Sequence, residues 1–163
     1  MVDPIRRRLF TRTNESENQP RMPWVKDALE FTEQCTRCNQ CASGCETKII
    51  KLGSGGFPIV DFDLGECTFC YQCADACPEK LFNTQDSTPW NAKAAISNTC
   101  LASQNVECRS CGDMCETMAI QFKLSIGKVA QPNLNLDECN GCGACVSVCP
   151  TSSINVSINN NER

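Results

Sequence analysis

Sixteen cysteines, and the distances between them, are the part of this sequence equipped for chemistry. Three groups follow C-x-x-C-x-x-C-x-x-x-C without exception: Cys35/Cys38/Cys41/Cys45, Cys67/Cys70/Cys73/Cys77 and Cys139/Cys142/Cys145/Cys149. The last two run into Pro78 and Pro150. This spacing holds [4Fe–4S] cubanes, because a tight loop with a Cys at every third position can wrap three corners of a cluster. The fourth Cys lies where the chain turns away and reaches the other cluster of a pair. A crossover of that kind assigns Cys35, Cys38, Cys41 and Cys77 to one site, and Cys67, Cys70, Cys73 and Cys45 to a second. Cys139, Cys142, Cys145 and Cys115 make a third set, and Cys149 completes the remaining one. The remaining group is irregular. Seven residues separate Cys100 from Cys108, after which Cys108-x-x-Cys111-x-x-x-Cys115 resumes the normal spacing. Either Cys100 loops out and still ligates, or the site holds a weaker, oxidation-prone or three-Cys cluster. Four complete sets, which use every Cys, are the better expectation. Zinc favours two C-x-x-C pairs joined by a longer loop, not three Cys crowded into seven residues. Disulfide frameworks do not repeat one tight spacing in this way.

Several residues around the ligands bear on a cluster's potential. Gly141, Gly143 and Ala144 let backbone amides approach the sulfides, which raises the potential. Phe69 and Tyr71, between ligands of the second group, are expected to shield and pack. Glu46 and Glu116 stand where Pro follows the other two terminal Cys, and read as solvated carboxylates.

The rest of the composition supports an inorganic core. The chain has 163 residues and no His, which removes His-ligated zinc, Rieske-type clusters and every imidazole-based nucleophile or base. The hydrophobic fraction of 41% counts Cys. Val, Ile, Leu and Phe make up only 33 residues, near the lower edge for a globular chain, so the fold needs staples. The formal charge of −4 and a pI of about 4.9 argue against nucleic-acid binding. Four clusters would add roughly −8 more, so the body should prefer a basic patch on a partner. No apolar run reaches the ~20 residues of a membrane span. Arg6-Arg7-Arg8 looks like the arginine pair of an export signal, but Thr13 to Pro20 is polar, and a retained protein of a reducing, cytoplasmic compartment is expected.

The elements that must position these cysteines form a duplicated pattern. Cys45-Glu46-Thr47 echoes Cys115-Glu116-Thr117, and Leu64-Gly65-Glu66-Cys67 echoes Leu136-Asp137-Glu138-Cys139. The expected class is α+β, two bacterial-ferredoxin-like two-cluster units built from short β-hairpins and short helices. Residues 1–23 read as a basic flexible arm, 24–84 as the first unit, 85–158 as the second and 159–163 as a polar tail. The linker joining the repeated Cys-bearing segments includes residues 83–91. Within this scheme 24–34 is a short helix with Trp24, Ala28, Leu29 and Phe31 on one side. The stretches 53–56, 125–127 and 131–133 punctuate hairpins between Cys groups, and 154–158 alternates like a strand.

At this level the chain resembles a family, the NapF-type ferredoxin-like accessory proteins of the periplasmic nitrate reductase system. The resemblance rests on Arg6 to Arg8, Pro23-Trp24, Cys35-Thr36-Arg37-Cys38, Cys67-Thr68-Phe69-Cys70-Tyr71-Gln72-Cys73, Cys77-Pro78-Glu79 and Trp90. It continues through Cys100-Leu101-Ala102, Val106-Glu107-Cys108-Arg109 and Cys139-Asn140-Gly141-Cys142-Gly143-Ala144-Cys145. The displaced Cys100 is its most distinctive part. The resemblance implies a cytoplasmic Fe–S protein. It would bind the cytoplasmic precursor of the molybdenum-containing catalytic subunit and assist its maturation before export, through electron transfer or Fe–S assembly. The sequence itself offers no substrate pocket or nucleophile, so an enzyme in its own right is not expected. Two other readings stay open: an electron-transfer subunit of a stable oxidoreductase complex, and a structural Fe–S scaffold.

Overall fold

The computed structural model describes residues 20–158. Residues 1–19 and 159–163, including the early arginine group, most of the arm and the tail, lie outside them.

Each half has a short hairpin set between helices of one or two turns. In the first, α1 spans Ala28–Gln34 and α2 Gln40–Gly44. Strands β1 (Ile50–Leu52) and β2 (Pro58–Val60) pair antiparallel around a 3-10 turn at Ser54–Gly56, and α3 follows at Gln72–Asp75. In the second half come β3 (Ala92–Ile96), α4 (Ser110–Asp113), β4 (Ile120–Ser125), β5 (Lys128–Leu134), α5 (Ala144–Ser147) and β6 (Ile154–Ile158). Strands β4 and β5 form the second hairpin, and β3 pairs antiparallel with β6 from Ala92↔Ile158 to Ile96↔Ile154. The corresponding closure of the first half is a single bridge, Val25↔Phe82.

Three local expectations need correction. The helix foreseen over 24–34 begins only at Ala28. Asp27 caps it, its carboxylate accepting from the amides of Leu29 and Glu30 at 2.8 and 3.0 Å. Trp24 lies upstream in a left-handed conformation and is buried, whereas Leu29 is 76% exposed. The arm read over 1–23 is too long by at least four residues. The Val60 amide donates to the Pro20 carbonyl, Met22 is 2% exposed, and Arg21 lies over the Phe31 and Phe57 rings. Residues 131–133 do not turn but belong to β5, where Pro132 faces Phe122. A two-stranded sheet has only edges, which is where Pro is tolerated.

The core is thin, as the supply of large apolar residues requires. Ile49, Val60, Phe62 and Phe82 fill the first half, and Ala92, Ala94, Ala119, Ile120, Ile154 and Val156 the second. Cys45, Cys73, Cys111, Cys139 and Cys145 are buried among them. The halves meet through the loops that bear cysteines. The Cys67 amide donates to the Cys142 carbonyl at 2.8 Å, and the Trp90 indole N–H donates to the Asn140 carbonyl at 2.9 Å. Trp90 stands edge-on to Phe62 and Phe69. Gly143, at φ 84°, lies so close to Phe62 that a Cβ there would overlap the ring.

Candidate metal centres

All sixteen cysteines are free thiols, and they line four separate cavities. Cys35, Cys38, Cys41 and Cys77 surround the first. Cys45, Cys67, Cys70 and Cys73 surround the second. Cys100, Cys108, Cys111 and Cys149 line the third. Cys115, Cys139, Cys142 and Cys145 line the fourth. These will be called sites 1 to 4 in that order. Among the described residues no three Cys, Asp or Glu converge on a point that would hold a single ion. Each quartet instead lines one site with four soft sulfur donors, the donor set an iron–sulfur core requires.

Backbone conformation explains how the loops wrap. Arg37, Asn39, Phe69 and Tyr71 follow ligands of sites 1 and 2 with φ between 55° and 68°, and Gly141 and Gly143 do the same at site 4. Left-handed residues turn the chain tightly enough to aim successive cysteines inward, at a cost of roughly 1–2 kcal/mol for each non-glycine. Three residues after each terminal cysteine the same conformation recurs, at Lys48, Lys80, Met118 and Ser152, with φ between 48° and 57°. Site 3 differs. Arg109 stands at φ −135°, and the Leu101–Glu107 insertion supplies the turn instead. That insertion is a compact coil in which Gln104 and Val106 donate back to Leu101. Gln131 donates to the Ala102 carbonyl at 2.7 Å and Asn105 accepts from the Val129 amide at 3.0 Å, tying the coil to β5. Cys100 is thereby held on the wall of the same cavity as Cys108, Cys111 and Cys149.

Electrostatics divides the cysteines into two kinds. Burial pushes the thiols of Cys73 and Cys145 up to about 12, and those of Cys41, Cys67 and Cys111 up to about 11, with neighbouring sulfurs adding to the rise. Cys142 is raised for the same reason. At Cys45 and Cys149 burial acts in that direction too, but is outweighed, and both thiols fall below their ordinary value. At Cys45 the opposing groups are the Thr47 hydroxyl and the amides of Ile49, Lys48 and Thr47. At Cys149 they include the amides of Thr151 and Ser153, the latter donating to Sγ at 3.2 Å.

The sequence reading missed two groups of site residues. Thr47, Thr117 and Thr151 bring hydroxyls within 3.5, 3.7 and 3.8 Å of Cys45, Cys115 and Cys149. The signal was present as Cys-x-Thr after three of the four terminal cysteines. Arg21 also lies beside site 1. Its guanidinium feels the Cys35 sulfur, one terminal nitrogen donates to Thr32 Oγ1, and the other is buried without a hydrogen-bond partner among the described residues. No pattern in the sequence tied Arg21 to Cys35. Of the residues singled out beforehand, Phe69 and Tyr71 pack edge-on to Trp24. Glu46 is exposed but accepts from the Thr68 hydroxyl at 2.6 Å, and Glu116 is exposed.

Comparison with known proteins fits this geometry. A family model described as a 4Fe-4S dicluster domain matches twice, over residues 34–81 and 106–153. The second match begins after Cys100, as its displaced position would lead one to expect. The ferredoxin-type protein NapF of Haemophilus influenzae is 54% identical over 134 residues, covering 82% of this chain and 76% of the relative. The ferredoxin-type protein NapF of Escherichia coli K12 is 46% identical over 154 residues, covering 94% of each. A duplicated dicluster architecture, cavities walled by cysteine quartets and this extent of identity lead to one assignment: the chain is a [4Fe–4S] protein and belongs to the NapF family of ferredoxin-type proteins.

Proposed function

We propose that this protein is a four-cluster, non-catalytic redox and maturation partner of the molybdenum-containing catalytic subunit of a periplasmic nitrate reductase. It would act in the cytoplasm on the precursor before export. The observation that carries this reading is the set of four all-cysteine cavities, including the irregular site 3 with its Cys100 wall, in a chain so close to ferredoxin-type relatives. The sixteen cysteines are the ligands, four to each cluster. When bound, each cluster stores and returns one electron.

The chain's own residues set the conditions for that chemistry. The buried thiols, pushed up to between about 11 and 12, hold their protons in the metal-free protein and release them as iron binds. The amide and hydroxyl donors at Cys45 and Cys149 favour the charged sulfur, and donors of this kind raise a cluster's potential. The exposed Cys38 and Cys70 mark where sites 1 and 2 come nearest to solvent and thus to a partner. An acidic body with anionic clusters suits a basic docking patch on that partner.

Two measurements test the proposal. Anaerobic analysis of the purified chain should give about sixteen iron and sixteen acid-labile sulfide per molecule. Affinity capture from cytoplasmic extract should then retain the signal-bearing precursor of the catalytic subunit, and release it under conditions of export. Stable stoichiometric co-purification with a mature oxidoreductase would instead favour a permanent electron-transfer subunit. Clusters that accept no electron would leave only a structural scaffold.

A further inference from the structure

A dicluster fold repeated twice would ordinarily be two independent pairs of redox centres on one string. The placement of the ligands says otherwise.

Within each half, neighbouring sites are tied by single turns of helix. Helix α2 carries Cys41 of site 1, and Cys45 of site 2 caps its end. Helix α3 carries Cys73 of site 2 and is followed by Cys77 of site 1. Four residues of helix advance about 6 Å, so each turn presents one sulfur to each of two adjoining cavities. The two turns touch, since a Cβ placed on Gly44 would meet that of Ala76 at 3.4 Å. The second half repeats this arrangement. Helix α4 holds Cys111 of site 3 and leads to Cys115 of site 4, while α5 holds Cys145 of site 4 and leads to Cys149 of site 3.

The junction between the halves then decides the path. The Cys67 amide of site 2 donates directly to the carbonyl of Cys142 of site 4 at 2.8 Å. Phe62, Phe69 and Trp90 pack around that contact, and Gly143 makes room for Phe62. Site 2 therefore adjoins site 4 through a direct backbone hydrogen bond between their ligand loops.

We infer that the four sites form one continuous one-electron conduit in the order 1, 2, 4, 3, crossing between the halves at the Cys67–Cys142 contact, with sites 1 and 3 as its ends. This rests on reading the four cavities as cluster sites. Each hop moves one electron, oxidising one cluster by one unit and reducing its neighbour by one, with no bond or proton changed. The electron enters from a low-potential one-electron donor, such as a reduced flavin or another iron–sulfur protein, and leaves to an oxidised metal centre of the partner.

The test empties the ends and keeps the middle. A chain carrying Cys35→Ala, Cys38→Ala, Cys108→Ala and Cys111→Ala retains complete ligand sets only at sites 2 and 4. Loaded anaerobically to about eight iron and fully reduced with dithionite, it should give the split, fast-relaxing electron paramagnetic resonance spectrum of two interacting spins. Two isolated signals at eight iron per chain would overturn the conduit while leaving the cluster reading intact. Should that variant fail to fold, the unmodified chain decides. Two-frequency spectra of its fully reduced form should require three couplings in series, and a spectrum that is the sum of two independent pairs overturns the proposal. Absence of iron and sulfide from the unmodified chain would remove the cluster reading itself.

Discussion

The two halves perform the same wrapping with different materials. The first closes on itself with one bridge, Val25↔Phe82, and supports its sites with aromatic packing: Trp24 on Phe69 and Tyr71, Phe31 on Phe82, and Arg21 and Arg37 over Phe57. The second closes with the β3–β6 ladder and a longer hairpin, and its packing residues are mostly small, with Ala92 and Ala119 1% exposed and Ala102 not exposed at all. Only the second half must also hold a displaced ligand. Ladder hydrogen bonds fix a backbone without needing bulky side chains, and side-chain bonds of Gln131 and Asn105 tie the coil that follows Cys100 to β5. One ligand geometry can thus be reached through side-chain packing or through strand pairing.

Removing the iron should break this comparison most severely. Because metal binding supplies folding free energy, anaerobic chelation should unfold most of the chain, seen as loss of circular dichroism signal. Any residual protection in hydrogen exchange should lie in β3–β6 and β4–β5, and protection confined to residues 24–82 would refute the contrast.

A smaller effect is expected at the junction. Gly143→Ala combines a left-handed conformation with a clash into Phe62, and should cost about 3 kcal/mol in chemical denaturation of the loaded protein. Gly127→Ala, also left-handed but with nothing within 4 Å, should cost only about 1 kcal/mol.

Next come the potentials. Arg21→Met removes a partly buried cation from beside Cys35, so site 1 alone should become harder to reduce. A fall on the order of 60 mV, a tenfold change in equilibrium for one electron, should appear in a spectroscopic titration, with Arg21→Lys intermediate. The smallest change is Thr47→Val, which removes one hydroxyl near Cys45. It should lower the potential of site 2 by less than Arg21→Met lowers that of site 1, and an equal or larger fall would show that the hydroxyl matters more than the charge.

Much of this molecule was legible in its cysteines, because ligand spacing is dictated by an inorganic object of fixed shape. The hairpins followed from Gly-rich and Ser-Ile-Gly punctuation between Cys groups. Strand β3 was not legible: Ala92-Lys93-Ala94-Ala95-Ile96 has little strand propensity, and its state is imposed by β6, whose pattern was visible. The packing of Pro20 to Pro23 was hidden for a similar reason, since composition describes a segment and not the groove that receives it. The electrostatic influence between Arg21 and Cys35 spans fourteen positions with no periodic signature. The insertion between Cys100 and Cys108 could be seen, but the coil it forms depends on Gln131 and Asn105.

The one-turn helices also shape how the molecule can fail. Since α2 and α3 each serve two cavities, loss of the inorganic core from one slackens a wall of the other, and the same is true of α4 and α5. Oxidative damage should therefore spread through a half before it crosses the middle, leaving a survivor with one intact pair of clusters rather than a random assortment.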